Sequence, residues 1–375
     1  MDSNAPMNSM PDAFLVGVGP TLSGRRLTGV SMVRAFAPGR VNLIGDHTDY
    51  SGGWALPMAV ELGTTVEVCT GGRRVELRSA EEAEPATVDL DALVEPRLVQ
   101  PPWARYVAGV VAVVGPADGA VGTIRTTLPV GAGLSSSAAL EVAVALALGF
   151  DGPPRGLAQA CQEAEHVASG VPSGVLDQLA SVSGVAGHVL LIDCASLEVT
   201  PVPMPTGVDV IVVHSGQART LAGSAYAERR AQCEAAAGMI GPLRTATVDD
   251  VARLDDDLLR RRARHVVTEN RRVLDFAACL TSGDLAGAGR LMVASHISLA
   301  ADFDVSTPVL DALVTELTAV PGVYGARLTG AGFGGCVVAL ADPTSPVRGW
   351  RLHPSPGASV VRGGRSDPDP GVGGR

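Results

Sequence analysis

The alternation of apolar and polar positions divides this chain into a strand-rich beginning, a mixed middle and a largely helical second half. Apolar runs bounded by glycine and proline predict strands, and apolar positions at helical spacing predict helices. The predicted strands are Val60–Val68, Val75–Leu77, Val121–Leu128, Val189–Asp193, Val208–Val213, Gly322–Leu328, Cys336–Leu340 and Ala358–Val361. The predicted helices are Pro102–Val114, a long one that follows the serines at 135–137 and runs to about Leu148, Ala158–Ser169 and one from about Leu176. Strands and helices mix without strict alternation, so we predict an α+β fold.

The best domain boundary is a proline-rich segment, with Pro201, Pro203 and Pro205 followed by Gly207. We therefore predict an N-terminal domain over residues 33–200 and a C-terminal domain over 201–361. Residues 1–32 are predicted to be a flexible extension, and residues 362–375, rich in Gly, Pro and Asp, a disordered tail.

Charge and composition exclude several classes of protein. A net charge of −10 argues against nucleic-acid binding, because the phosphate backbone requires a basic surface. The longest apolar runs, such as Leu140–Phe150, are too short to span a bilayer, and no signal peptide is apparent, so no membrane partner is expected. The six cysteines lie far apart without a C-x-x-C pair, which is typical of reduced thiols in a cytoplasmic protein.

The chain contains no lysine, and its 29 basic residues are all arginine. A Walker-type phosphate loop and a protein-kinase site both place a lysine on the phosphates, so neither is possible here. Any ATP chemistry must depend on backbone N–H groups, helix dipoles, arginine and a metal ion.

A glycine-rich loop precedes the long apolar helix, in the segment Leu128-Pro-Val-Gly-Ala-Gly-Leu-Ser-Ser-Ser. Glycines allow a ligand to approach the backbone, hydroxyl residues cap a helix, and a helix start attracts phosphate. From this segment alone, a phosphate site and a plain serine-capped buried helix are both consistent interpretations.

The chain carries two further short motifs of similar character. Between Arg40 and Asp49 the chain concentrates arginine, asparagine, aspartate, histidine and threonine, bounded by glycines. Carboxylates and imidazole suit the hydroxyls of a sugar, because each can form a strong hydrogen bond to them. The segment Arg327-Leu-Thr-Gly-Ala-Gly-Phe-Gly-Gly-Cys places four glycines between two apolar runs, which alone would also fit a simple hairpin.

In their order along the chain and at their separations, the three segments resemble the motifs of the GHMP small-molecule kinases. The segment around Arg40–Asp49, which comes first in the chain, is similar to the galactokinase signature. The resemblance extends through Pro102–Val107, Ala164–His166, Pro172–Gln178, Tyr226–Cys233, Arg261–Phe276 and Ala294–His296. It covers roughly Arg34 to Leu340. It implies a two-domain fold with the active site in the cleft between the domains, transfer of the ATP γ-phosphate to the anomeric hydroxyl of galactose, Mg²⁺ as cofactor, and a monomer.

The resemblance also assigns roles by residue. It makes Asp177 the proposed base for the anomeric hydroxyl and Arg40 its neighbour, which favours the ionised aspartate and stabilises charge on the transferring phosphoryl group. The implied sugar ligands are Asp46, His47, Asp49, Gly174 and Tyr226; the phosphate cradle is Gly131, Gly133, Ser135, Ser136 and Ser137; the Mg²⁺ ligands are Ser137 and Glu165; and the adenine pocket holds Trp103 and Tyr106. The third motif, Gly330–Gly335, is expected to support the nucleotide loop and close the site.

Taken without the resemblance, the same residues have ordinary structural explanations. Asp177 would cap a helix, Trp103 and Tyr226 would pack in a core, and Glu165 would lie on a solvated helix face. The arginine run at 260–264 is also typical of a solvated face. The histidines at 188, 214, 265, 296 and 353 show no metal-ligand spacing and are interpreted as structural.

Two departures from the family pattern leave the substrate open: position 46 is Asp where Glu is usual, and position 51 is Ser where Asn is usual. A third departure, the short chain after Leu340 in which an expected helix is truncated, concerns packing and stability more than chemistry. A sister sugar-1-kinase acting on a galactose analogue is therefore kept as an alternative. A non-catalytic regulator that binds galactose and ATP is a second alternative, although the intact serine loop with Arg40 and Asp177 favours an active enzyme.

Overall fold

The computed structural model describes residues 31–129, 132–218 and 222–363, with the backbone alone at 222–224. Its strands are β1 (Met32–Ile44), β2 (Trp54–Thr70), β3 (Arg74–Ser79), β4 (Ala86–Asp89), β5 (Ala120–Thr126), β6 (His188–Asp193), β7 (Glu198–Pro203), β8 (Asp209–His214), β9 (Val323–Thr329), β10 (Cys336–Ala341), β11 (Trp350–Leu352) and β12 (Ser359–Arg362). Its α-helices are α1 (Ala104–Val114), α2 (Ser136–Ala147), α3 (Pro154–Ser169), α4 (Leu176–Ser183), α5 (Ala222–Ile240), α6 (Val248–Ala252), α7 (Asp257–Ser282), α8 (Leu285–Ala301) and α9 (Pro308–Thr318). Short 3₁₀ turns lie at Asp49–Ser51 and Pro96–Leu98.

A large sheet is built around the two long strands β1 and β2. Its order is β12-β1-β2-β5-β3-β4, and β6 and β7 extend it from the first residues of β2. Neighbouring strands are antiparallel except β3 and β5, which are parallel. Helices α2 and α4 pack on β1 and β2, and α1 and α3 pack against α2. The residues of α2 are apolar nearly all round rather than on one stripe, so this helix can be covered on several sides.

The second sheet is smaller and antiparallel, with the order β11-β8-β10-β9. Helices α8 and α9 pack on β9, and α7 packs between α5 and α8. A single buried cluster joins the two sheets, with Leu43 and Met58 from the large one, Val212 and Val338 from the small one, and Phe276 from α7. This shared core positions the turn after β1 against the turn between β9 and β10.

The α+β fold is confirmed, and most predicted elements lie within a few residues of the observed ones. The predictions that place Pro201 and Pro203 between strands are wrong, because both lie in β7, which pairs only with β6 among the described strands. An edge strand tolerates proline because one side of its backbone needs no ladder hydrogen bond. After β10 the chain forms β11 on β8, where a helix was expected.

The predicted extension at 1–32 and the predicted tail at 362–375 each include one residue too many on the side of the fold. Met32 is the first residue of β1, and Arg362 is the last of β12. Residues 1–30 and 364–375 lie outside the described residues. The arginine run is not wholly solvated, because Arg262 is buried and donates to the Gln232 side chain and the Asp302 carbonyl. The domain bounds at 33–200 and 201–361 stay a prediction.

Candidate active site

A β-bulge in β1 presents Arg40 to the start of two helices. The register of β1 on β2 shifts between Pro38 and Arg40, and bulges of this kind redirect side chains near active sites. The Arg40 guanidinium donates from Nε to Asp177 Oδ1 at 2.7 Å, and from Nη1 to the Gly133 carbonyl at 2.8 Å. The bulge has no room for a side chain at Gly39, where a Cβ would meet Leu128 and the Leu134 carbonyl at 2.5 Å.

Asp177 is the second residue of α4, and its carboxylate is held rather than used as a helix cap. Its Oδ1 accepts from Arg40, and its Oδ2 accepts from the Ser135 hydroxyl. The Asp177 side chain keeps 31% of its surface exposed, whereas the Arg40 side chain keeps 9%. Arg40 and Ser135 therefore fix the orientation of a carboxylate that a ligand can still reach.

Among the described residues, no N-cap side chain bonds the first N–H groups of α2. Ser135 occupies the N-cap position with a left-handed backbone, φ 56°, and its hydroxyl turns to Asp177 instead of the helix N–H groups. The expectation that hydroxyl residues cap this helix is therefore wrong for Ser135. Free N–H groups and the positive end of the helix dipole together favour an anion at this position.

A chain of carboxylate and amide groups lies behind the helix start. Glu165 of α3 accepts from Ser137 at 3.1 Å, from Ser173 at 2.9 Å and from the Gln178 amide at 2.9 Å. The same Gln178 amide donates to Glu141 at 3.1 Å. Glu141 is wholly buried, and burial, with the nearby charge of Glu165 second, raises its pKa well above the usual range.

Ser137 and Glu165 fit a hard divalent cation. Both offer oxygen donors, and the Ser137 hydroxyl already lies 3.1 Å from the carboxylate. Among the described residues no group of three or more His, Cys, Asp or Glu side chains could hold a metal ion by itself. A cation here needs further oxygen ligands from phosphates and water, which is the usual mode of Mg²⁺ binding in proteins.

A polar cavity of about 240 Å³ lies beside Asp177. Its lining brings together all five predicted sugar ligands, the two predicted catalytic residues, and residues of the third motif. It is lined by Arg40, Asp46, His47, Asp49, Glu165, Val171, Ser173, Gly174, Leu176, Asp177, Tyr226, Gly330 and Ala331.

His47 enters this cavity from a turn with a left-handed backbone, φ 65°. Burial lowers the pKa of His47 to about 3, so the imidazole is neutral at physiological pH. Since a carbonyl can only accept, Nε2–H donates to Ala331 O at 3.2 Å, and Nδ1 accepts from the Tyr50 hydroxyl at 3.0 Å. A sugar hydroxyl that bonds a ring nitrogen of His47 has to replace one of these partners.

Asp49 and Gly174 form a close pair on the other side of the cavity. A Cβ at Gly174 would lie 1.7 Å from Asp49 Oδ2, so only glycine fits with the carboxylate in its place. Burial, and after it the charge of Asp177, raises the pKa of Asp49 to about 6. Tyr226 stands beside this pair, with its ring 5.6 Å from that of His47 between centroids.

Asp46 lines the cavity, and its carboxylate also has protein partners. Oδ2 forms a buried ion pair with Arg327, and Oδ1 accepts from the Gly330 N–H at 3.1 Å. These contacts tie the turn after β1 to the third motif. Gly330 and Ala331 thus face the polar cavity, while Gly335 bonds the backbone of Ser215 and Gln217 on the opposite side of the turn.

Two further cavities continue from the polar cavity along the start of α2. The first, of about 600 Å³, contains Gly133, Ser135, Ser136 and Ser137, and shares Arg40 and Asp177 with the polar cavity. The second, of about 420 Å³, is mostly apolar. It shares Leu128, Ser136 and Ser137 with the first and is lined by Trp103 and Tyr106, as expected for an adenine pocket.

The structure thus brings the predicted site residues into one row of three cavities, except Gly131, which lies outside the described residues. Residues that the sequence analysis missed are Ser173, Glu141 and Gln178. Gln178 follows Asp177 directly, so its position in that polar motif could have identified it as a candidate site residue. Of the described residues, none belongs to a helix long and apolar enough to cross a membrane.

Comparison with known proteins identifies the family. Three family models match: the galactokinase galactose-binding signature over residues 25–70, the GHMP kinase N-terminal domain over 105–185 and the GHMP kinase C-terminal domain over 276–351. Human galactokinase is 44% identical over 330 residues, which cover 82% of this chain and 83% of the relative. Galactokinase of Roseiflexus sp. strain RS-1 is 45% identical over 329 residues, with the same shares.

Solved structures agree with these matches. Lactococcus lactis galactokinase complexed with galactose superposes with a TM-score of 0.81 at 30% identity, covering 88% of this chain and 95% of that one. A mevalonate kinase shares the fold, with a TM-score of 0.61 at 18% identity over 86% of this chain and 98% of that one. The chain belongs to the galactokinase family, within the GHMP kinases, and is a sugar kinase.

Proposed function

We propose that this protein is a galactokinase, which transfers the γ-phosphate of ATP to the anomeric hydroxyl of D-galactose and releases α-D-galactose 1-phosphate and ADP. The observation that carries the proposal is the Arg40–Asp177 pair, which forms the wall between a polar cavity and a cavity at an uncapped helix start. A sugar hydroxyl on one side and a phosphate on the other would meet at this pair.

The polar cavity supports a sugar as acceptor. It offers a carboxylate at Asp49, a phenol at Tyr226 and backbone at Gly174, which are the groups that bind hydroxyls. In the transfer the anomeric oxygen bonds to the γ-phosphorus, the bond to the leaving ADP oxygen breaks, and the hydroxyl proton passes to or toward Asp177. The exposed part of Asp177 is available for that proton.

Arg40 would act on both sides of the transfer. Its guanidinium holds Asp177 in one orientation and lines the phosphate cavity, where positive charge stabilises the transferring phosphoryl group. This arrangement requires no lysine, in agreement with the composition. Ser137 and Glu165 would hold Mg²⁺, which supplies neutralisation of phosphate charge when bound. Trp103 and Tyr106 would enclose the adenine.

All six cysteines are free, which supports a reducing compartment and a cytoplasmic location.

The proposal is tested by ADP release from purified protein with MgATP, run separately with galactose, glucose, N-acetylgalactosamine, arabinose and no sugar. Turnover with galactose alone is the expected result. Turnover only with another sugar would indicate a sister sugar kinase with a different substrate. ATP binding without turnover on any sugar would indicate a regulator.

A variant separates catalysis from binding. Asp177→Asn keeps the size of the side chain but removes the acceptor of the proton and the charge partner of Arg40. We expect turnover to fall by about 10²-fold or more while ATP affinity stays within about threefold. Near-normal turnover would contradict the role of Asp177.

A further inference from the structure

The turn that carries His47 has an unusual backbone. His47 has φ 65° and Gly45, two residues earlier, has φ 93°. A left-handed conformation is unfavourable for a histidine and persists only where the surrounding structure imposes it. The question is which groups impose it, since the imidazole and Asp49 both reach the sugar cavity from this turn.

Two side chains of α7 bond the backbone of the turn from the side away from the cavity. Glu269 Oε1 accepts from the Gly45 N–H at 3.0 Å, and His265 Nε2 lies 3.1 Å from the Asp46 carbonyl oxygen. The two residues are four positions apart, so they project from the same face of the helix. Both are wholly buried, and neither lines the sugar cavity.

The chemistry of each group determines the direction of its bond. A carbonyl only accepts, so His265 donates from Nε2–H to Asp46, and its Nδ1 lies 2.9 Å from the Ser298 hydroxyl. Burial lowers the pKa of His265 to about 4, so the ring is neutral and Nδ1 is an acceptor. The Ser298 hydroxyl has one proton, which it donates either to Nδ1 at 2.9 Å or to Asp302 Oδ2 at 3.2 Å.

Glu269 is ionised in the same setting. Its Oε2 accepts from Arg272 at 2.6 Å, and its Oε1 also accepts from Ser295. Although burial opposes it, the Arg272 guanidinium, with His265 and Arg327 after it, lowers the pKa of Glu269 to about 2. A charged acceptor therefore faces the Gly45 N–H, which makes this the stronger type of hydrogen bond.

We propose that His265 and Glu269 are positioning residues for the sugar site, which hold the backbone of Gly45 and Asp46 so that His47 keeps its left-handed conformation. The inference rests on the proposed galactokinase function for its kinetic consequence. It departs from the interpretation of His265 as a merely structural histidine, because a core histidine would have no selective effect on one substrate.

A pair of variants at position 265 separates the two ring nitrogens. The amide of glutamine can reach the position of Nε2 and donate to Asp46, whereas the shorter asparagine reaches only the position of Nδ1 and Ser298. We expect His265→Asn to raise the galactose KM about tenfold, the effect of one lost buried hydrogen bond, with the ATP KM within about twofold. His265→Gln should restore the galactose KM to within about threefold of the wild type.

The control is Phe276→Leu, a core substitution on the same helix, which should lower stability without a selective change in the galactose KM. Equal galactose KM values for His265→Asn and His265→Gln, or a KM increase shared equally by galactose and ATP, would overturn the proposal.

Amide hydrogen exchange tests the positioning without any substrate. We expect the peptide that covers residues 43–53 to exchange about tenfold faster in His265→Asn than in Phe276→Leu. Unchanged exchange in this segment would overturn the proposal even if the enzyme proves to act on another sugar. If the two variants show the expected difference in exchange but the wild type does not phosphorylate galactose, only the proposed function is contradicted.

Discussion

The contact between Gly174 and Asp49 permits a sharp test of the sugar site. In Gly174→Ala the new Cβ would lie 1.7 Å from Asp49 Oδ2 and 2.5 Å from its Cγ. Side-chain carbons essentially never approach other atoms within 3.0 Å, so the carboxylate or the loop has to move. The backbone at Gly174 is not left-handed, so alanine meets no conformational strain, and the steric overlap is the only perturbation.

The expected size of the effect follows from that displacement. The overlap requires a movement of about 1 Å or more, and a misplacement of about 1 Å in a substrate-positioning group costs about 10²-fold. We therefore expect kcat/KM for galactose to fall about 10²-fold, equivalent to about 2.7 kcal/mol, with the ATP KM nearly unchanged.

The assay is ADP release, titrated with galactose at saturating MgATP and with ATP at saturating galactose. The matched control is Gly238→Ala in α5, where the backbone is likewise not left-handed and no atom lies within 4 Å of the added Cβ. Alanine is favoured over glycine in a helix, so this control should keep full activity and gain up to about 1 kcal/mol of stability. A kcat/KM for galactose within twofold of the wild type in Gly174→Ala would refute the reasoning.

Four further predictions concern charge. Because the pKa of Asp49 is raised to about 6, kcat/KM for galactose should fall about tenfold per pH unit below that value; a flat profile from pH 5 to 7 would contradict this. The same raised pKa means that the stability contributed by protonated Asp49 is complete below its unfolded value of 3.8 and is lost as pH rises through about 6, which urea unfolding across that window would detect. Glu165→Gln should weaken Mn²⁺ binding to the ATP complex by about 10- to 100-fold, measured by electron paramagnetic resonance, and unchanged affinity would remove Glu165 from the cation site. Arg327→Met leaves Asp46 buried without its ion partner and should lower the free energy of unfolding by about 3–5 kcal/mol, and a loss below 1 kcal/mol would show that the pair is dispensable.

Local patterns determined much of what the sequence analysis predicted. The apolar helix after the serines, the β-branched strands and the polar segment at 40–49 were recognisable because periodicity, glycine and clustered polar residues act over a few neighbouring positions. The absence of lysine excluded two kinds of phosphate site on composition alone, because both require its ammonium group. The α+β prediction followed from the predicted elements, whereas the family resemblance depended on the residues of the three motifs and their order along the chain.

The contacts that individual residues make could not be predicted from local patterns in the same way. Pro201 and Pro203 lie in β7, which pairs on one side only among the described strands. That edge position depends on the sheet and not on the prolines. Ser135 was expected to cap α2, but its hydroxyl bonds Asp177, a competitor 42 positions away in the chain. Arg262 lies in a run of charges, yet it is buried because the helix turns that one side chain inward.

Side-chain chemistry and short turns were enough to nominate residues for binding a sugar, a phosphate and a cation, because these abilities belong to local groups. Which of these residues meet depends on how distant segments pack. Arg40 and Asp177 are 137 positions apart and meet because α4 packs on β1. Asp46 and Arg327 are 281 positions apart and meet because the two sheets pack around one core. The engagement of Asp46, the fit of Gly174 against Asp49 and the support from α7 follow from that packing, because interactions between distant segments leave no periodic signal in the chain.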